Sequence, residues 1–193
     1  INKTIFLSII AGAKIKTLKT ITNNSNIIRA MPNTPAFVGK SLTGLYFPKK
    51  TSQNIKKLII KIFSEIGHTV ILKSEKQLDL ITAVSGSGPA YFYKFLEIFE
   101  NSALKIGLSK KMSNKIVIQT VTGALSLLSS SNVSASQLRR NVSSKGGTTE
   151  SAIKILDDNL LEQIFFKAIK SAKNRSHELS DELNIQIKQH SNK

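Results

Sequence analysis

Three stretches of this chain set small, polar and turn-forming residues between apolar runs, and loops of that kind on a rigid scaffold are where chemistry is usually done. The last is the richest: Asn141-Val142-Ser143-Ser144-Lys145-Gly146-Gly147-Thr148-Thr149-Glu150, leading into an apolar helix over residues 152–156. A glycine turn entering a helix N-terminus aligns successive backbone N–H groups, and the peptide dipoles behind them favour an anion. Ser144, Thr148 and Thr149 add hydroxyl donors. The lysine precedes the glycines instead of following them, so this is not a phosphate-binding loop, and a carboxylate-sized anion suits so short a turn. A capped helix start without a ligand is the competing reading.

The first stretch, Arg29-Ala30-Met31-Pro32-Asn33-Thr34-Pro35, follows a strand candidate over residues 26–30. That is the carboxyl end of a strand, where open α/β sheets bind ligands. Its prolines stiffen the backbone while Asn33 and Thr34 offer donors and acceptors, although an ordinary proline-bounded turn would look the same. The middle stretch runs from Thr82 through Ser85-Gly86-Ser87-Gly88-Pro89 to Ala90 and enters another helix. Pro89 suits the first helical position, and Ser87 or Gly88 suits the cap. Its two glycines also let a flat ligand approach the backbone, which a mere helix start leaves unused.

The elements that must position these stretches fall into two kinds. Over residues 1–73, strand candidates at 4–10, 26–30, 42–47 and 68–72 alternate with helical spacing, which predicts an α/β layer. In the helix expected over 53–66, Ile55, Leu58, Ile59, Ile62, Phe63 and Ile66 share one face. No strand signal survives beyond about residue 85, and residues 74–193 read as helices. One, over 90–106, carries Phe92, Phe95, Leu96, Phe99, Ala103 and Ile106 at helical spacing and stops at Gly107. The next, over 112–129, is apolar almost all round, so a second copy of the chain is expected to complete its core. The last places Leu161, Ile164, Phe165, Ala168, Ile169 and Ala172 on a stripe that Leu179, Leu183 and Ile187 extend.

Composition narrows the function. There is no cysteine, which removes disulfides and thiolate chemistry and fits a reducing, cytoplasmic setting. His68, His177 and His190 lack ligand spacing, so no protein-built metal site is expected. A net charge of +16 invites a nucleic-acid reading, but the lysines are scattered and no aromatic platform is interleaved with them. The opening Lys3, apolar run and Ala11-Gly12-Ala13 imitate a secretory signal. A buried parallel strand ending in a small-residue turn explains them better, and no run is long enough to span a bilayer.

Taken in order, MPNTP, TAVSGSGPAYFY and NVSSKGGTTES closely resemble pyrroline-5-carboxylate reductase. SIIAGAKI resembles that family's strand and turn beside the nicotinamide, residues 103–108 and 119–124 its helical core, and Arg175-Ser176-His177-Glu178-Leu179 its closing helix. The resemblance covers nearly the whole chain. It implies the C-terminal part of a Rossmann-type parallel sheet domain (1–73) followed by a helical substrate-binding and dimerisation domain (74–193). The implied activity is reduction of 1-pyrroline-5-carboxylate to proline by NADPH or NADH in a cytoplasmic homodimer, with rings of dimers in some members. Ala11, Gly12, Met31, Asn33 and Thr34 would lie along the cofactor, with Asn141 added from the helical half. Ser144, Gly146, Gly147, Thr148 and Thr149 would hold the substrate, and Thr149 matches the hydroxyl that bonds the ring nitrogen. Neither a nucleic acid nor a membrane is an expected partner.

There are two departures from the family pattern. Lys145 stands where the family has proline, and no G-x-G-x-x-G follows a strand anywhere in the chain. The chain is therefore expected to begin midway through the Rossmann sheet, as part of a longer protein or as a truncated gene product. Without the first strands, cofactor affinity is expected to collapse. A catalytically inactive remnant, acting only as a helical dimerisation module, is the alternative.

Overall fold

The computed structural model describes residues 4–191, without the side chains of 184 and 187–191. Lys3 and the side chains of Ile187 and His190, weighed above, thus lie outside the described residues. The chain packs as two compact units, Ile1–Pro89 with Lys167–Lys193, and Ala90–Phe166. They do not follow the change from strand to helix near residue 73, because residues 74–89 and the end of the last helix pack with the sheet.

In the first unit the strands β1 (Phe6–Ser8), β2 (Ile27–Met31), β3 (Ser41–Tyr46) and β4 (Gly67–Ile71) lie side by side in chain order. β1 and β2 are parallel, as are β3 and β4, whereas β2 and β3 are antiparallel. The sheet is thus mixed rather than wholly parallel. Its antiparallel step occurs where only a short 3-10 turn, Thr34–Val38, links two strands; a parallel step needs a full crossover connection. The helices α1 (Ile15–Thr22) and α2 (Gln53–Ser64) supply those crossovers.

Alternation along β2 feeds two cores. Ile28 and Ala30 pack with Leu45, Phe47, Ile59 and Phe63 beneath α2, whereas Ile27 packs with Ala13, just before α1, and with Ile15 and Leu18 of α1. On α2 the buried stripe is Ile59 and Phe63, flanked by Ile55 and Ile66; Leu58 and Ile62, expected on the same face, point to solvent. The helix needs only the width of one sheet, so the shoulder of its apolar arc is left uncovered. Ser52 caps α2 by accepting from the Ile55 N–H.

Helix α3 (Gln77–Ile81) runs through a π turn, Thr82–Gly86, toward α4 (Gly88–Lys105). Then follow α5 (Lys110–Ser130), α6 (Ala135–Asn141), α7 (Thr148–Asp158) and α8 (Leu161–Ser191). The far end of α8 belongs to the first unit: Ser176 Oγ donates to Asp79 Oδ1 at 2.9 Å, and Leu183 packs against the α1 core.

The second unit is helical. Val117 and Ser113 of α5 are its tightest positions, and Tyr91 meets Phe165 edge to face at 6.1 Å. Beyond these contacts, Phe92, Phe95 and Phe99 of α4, Ile116, Ile118 and Leu125 of α5, and Phe166 of α8 are exposed in the single chain. Among the described residues no helix is long and apolar enough to cross a membrane.

Candidate active site

After β1 the chain makes a turn at Ala11 and Gly12, and Gly12 adopts φ +76°. A side chain there would face the backbone of α8, with Ser180 N at 3.1 Å and the Leu179 carbonyl carbon at 3.3 Å. Both the dihedral and the close approach therefore call for glycine. An ion pair between buried Arg29 and half-buried Glu75 holds the turn from either side. Arg29, with its side chain only 6% exposed, bonds Glu75 Oε1 at 3.1 Å and donates to the Ile10 carbonyl at 3.3 Å. The same Glu75 oxygen accepts from the Ile15 N–H at 2.6 Å. Glu75 also caps α1, which has no side-chain cap of its own. Sequence reasoning gave neither residue a role. The available signal was a guanidinium inside the otherwise apolar β2, since a buried charge requires a partner.

The first two polar stretches meet in this unit, and Asn33 joins them. Its amide nitrogen donates to the Ser85 carbonyl and to Ser85 Oγ, each at 3.1 Å, and its side-chain oxygen accepts from the Leu42 N–H at 3.0 Å. Nearby, Met31 Cε lies 3.1 Å from where a Cβ on Gly86 would stand. The Asn33 side chain is thus engaged in fixing the loop, while Thr34 is exposed at the start of the 3-10 turn. The middle stretch is a π turn, not a simple capped helix start: Ser87 closes it with dihedrals of φ −84° and ψ −18°, and its N–H bonds the Thr82 carbonyl at 2.8 Å. Wider turns of this kind often mark functional positions.

The third stretch is built within the second unit. Ser134 caps α6 by accepting from the Gln137 N–H, and Asn141 closes the helix with its side-chain oxygen bonded by Gln137 Nε2 at 2.8 Å. The chain then reverses: Gly147 N–H bonds the Ser144 carbonyl at 3.0 Å, and Gly146 adopts φ +72°. Gly147 is the N-cap of α7, whose first helical bond runs from Ser151 N–H to the Gly147 carbonyl. The N–H groups of Thr148 and Thr149 precede that bond at the positive end of the helix.

Gly146 and Gly147 line an open groove of about 870 Å³ together with Arg139, Arg140, Glu150 and Lys154. Ser144, Thr148 and Thr149 flank these glycines in the turn. The two arginines were not expected; their adjacency immediately before the glycine stretch was the signal. Arg139 stands 3.9 Å from Asp157, and Arg140 bonds Ser136 Oγ at 2.8 Å. Glu150 donates nothing but accepts from the Gly146 N–H at 2.7 Å. Asp157 and Asp158 line the groove as well, so its bases face acids, and Ser144, Thr148 and Thr149 are not among its lining residues.

A family model described as pyrroline-5-carboxylate reductase dimerisation matches residues 75–179. The chain is 36% identical to the pyrroline-5-carboxylate reductase of Haemophilus influenzae, over 91% of this chain and 65% of that protein. It is also 36% identical to the Pseudomonas aeruginosa enzyme of that name, over 93% of this chain and 66% of that protein. The chain therefore spans just under two thirds of the length of these relatives. A solved pyrroline-5-carboxylate reductase from Coxiella burnetii superposes with a TM-score of 0.86 at 36% identity, covering 93% of this chain and 67% of that one. The Plasmodium falciparum pyrroline carboxylate reductase, solved with NADP bound, gives 0.85 at 31% identity, covering 92% and 71%.

Proposed function

The chain belongs to the pyrroline-5-carboxylate reductase family, and on that premise we propose that it takes part in reducing 1-pyrroline-5-carboxylate to proline with NADPH or NADH. The observation carrying this reading is the Gly146–Gly147 turn at the start of α7, where two positions without side chains leave the helix N-terminus open beside Arg139 and Arg140. The substrate's acid group binds there, held by the amides of Gly146, Thr148 and Thr149 with the Ser144 hydroxyl alongside. The Thr149 hydroxyl meets the ring nitrogen, keeping its proton in place as the neighbouring carbon is reduced. Thr149 orients the ring by accepting from its N–H; a substrate that enters protonated brings its own proton and needs no stronger acid.

The cofactor, when bound, supplies the hydride that the imine carbon accepts. Ala11, Gly12, Met31 and Thr34 are the residues to hold it, with Asn141 from α6. Small residues at the Ala11–Gly12 turn, which follows β1, support that assignment. Asn33 serves by shaping the loop, since its side chain already bonds Ser85 and Leu42. Residues 1–73 are then the partial dinucleotide-binding domain, and 74–193 the substrate-binding and dimerisation domain. The match of the dimerisation model to 75–179 supports the second of these.

The test is pyrroline-dependent oxidation of NAD(P)H by the full-length protein. Thr149→Ala should lower kcat about tenfold to a hundredfold while leaving the KM for NAD(P)H unchanged. An unaltered kcat would remove Thr149 from the reaction.

A homodimer is the assembly that fits the uncovered apolar side chains of α4 and α5, which are too many for a stable lone surface. Replacing Phe92 by glutamate places a charge in the middle of that face. Light scattering should then report a shift from dimer to monomer at micromolar concentration. A dimer that persists unchanged would put the interface elsewhere. A ring of dimers and a cytoplasmic setting are further parts of this reading, supported by family membership and by the absence of cysteine.

A further inference from the structure

One amide of the glycine turn is already bonded by an acid group of the chain itself. Gly146 N–H donates to Glu150 Oε2 at 2.7 Å. In a capping box, the N-cap side chain and the residue three positions on bond each other's amides reciprocally. Here the N-cap is Gly147, which has no side chain to reciprocate, and Glu150 reaches past it to Gly146. The bond is one-sided and both residues are exposed, so a second carboxylate can compete for the same hydrogen.

We propose that Glu150 is an internal competitor of the substrate carboxylate. It holds the Gly146 amide in the substrate-free protein and is displaced when the acid group of the ligand arrives. Glu150 thereby sets the affinity of the turn and its selectivity, because a cyclic imine without an acid group cannot displace it. Lys154 stands one helical turn further along α7 and lines the same groove, at the spacing that lets an ammonium receive the displaced carboxylate. This role rests on the placement of the substrate acid group at Gly146 and Gly147 proposed above.

The decisive variant is Glu150→Gln in the full-length protein. It retains an oxygen acceptor for Gly146 N–H and removes the charge. Repulsion between two carboxylates a few ångströms apart corresponds to about fivefold in affinity even at the dielectric of water, so the KM for pyrroline-5-carboxylate should fall ~5-fold. No matching change is expected in kcat or in the KM for NAD(P)H. Glu150→Ala separates charge from support: if the bond merely braces the turn, alanine raises the KM and glutamine does not lower it, which would overturn the proposal. Gly147→Val, measured alongside, distinguishes the two levels of inference. Should it raise the KM while Glu150→Gln changes nothing, only the role of Glu150 fails. Should it leave the KM unchanged, the acid group binds elsewhere and both readings fail.

Discussion

Gly147→Val is expected to raise the KM for pyrroline-5-carboxylate by a hundredfold or more (~3 kcal/mol of binding) without unfolding the protein. The backbone does not forbid valine, because Gly147 has φ −84° and ψ 168°, a region that β-branched residues favour. The obstacle is local. A Cβ on Gly147 would stand 2.5 Å from Ser144 Oγ and 3.0 Å from the Ser144 carbonyl oxygen. The hydroxyl can rotate away, but the carbonyl is held by the Gly147 N–H itself. Relief must come from opening the turn or turning its amides away from the groove. Steady-state kinetics with both substrates will locate the defect, since the KM for NAD(P)H should not follow. Normal proline formation by this variant would count decisively against the substrate placement.

The largest effect on stability is expected from Gly67→Ala, far from that turn. Gly67 opens β4 opposite Ser41 of β3 and adopts φ +145°, a conformation strained for any residue with a Cβ. The added carbon would also fall inside the backbone of Ser41. Ser41 has nowhere to go. Its N–H bonds the Ile66 carbonyl at 2.9 Å, and it is 1% exposed, with its hydroxyl beside Thr43 Oγ1 and the Asn33 N–H. Strain and backbone collision together should cost more than about 3 kcal/mol and lower the melting temperature by roughly 10 °C. Circular dichroism on heating measures this directly. The Asn33 loop hangs from Ser41 and Leu42, so the same substitution should loosen the proposed cofactor loop. A melting temperature within a degree or two of the parent would show that β3 and β4 can separate cheaply at this end.

Strands and long helices were legible because their signals are local. β2 and β3 are short runs of apolar and small residues bounded by turn formers, and they lie within a residue of where spacing puts them. Helices α4, α5 and α8 follow periodic apolar residues over long spans, which averages out individual exceptions. Short helices were not legible. α1 interleaves lysine and threonine with two apolar turns, and α6 is seven residues long with a single leucine. The stabilisation of α1 comes from Glu75, sixty residues away, which local spacing does not contain.

Of the candidate site, the residue types of all three polar stretches could be read directly, because glycine, proline and hydroxyl residues interrupt periodic patterns. The amino-acid sequence by itself determined the α/β and helical halves, the glycine turn before α7, and the resemblance those motifs carry. Only the tertiary structure decided that Asn33 is spent on Ser85, that Arg29 and Glu75 grip the Ala11–Gly12 turn, and that β3 reverses direction. Glu150 shows the same division at closer range: its place in the motif was plain, but its bond to Gly146 depends on how the turn folds back. Periodicity records which side of an element is apolar. Hydrogen bonds between elements depend on the directions in which buried polar groups find partners, and those are settled when the elements pack.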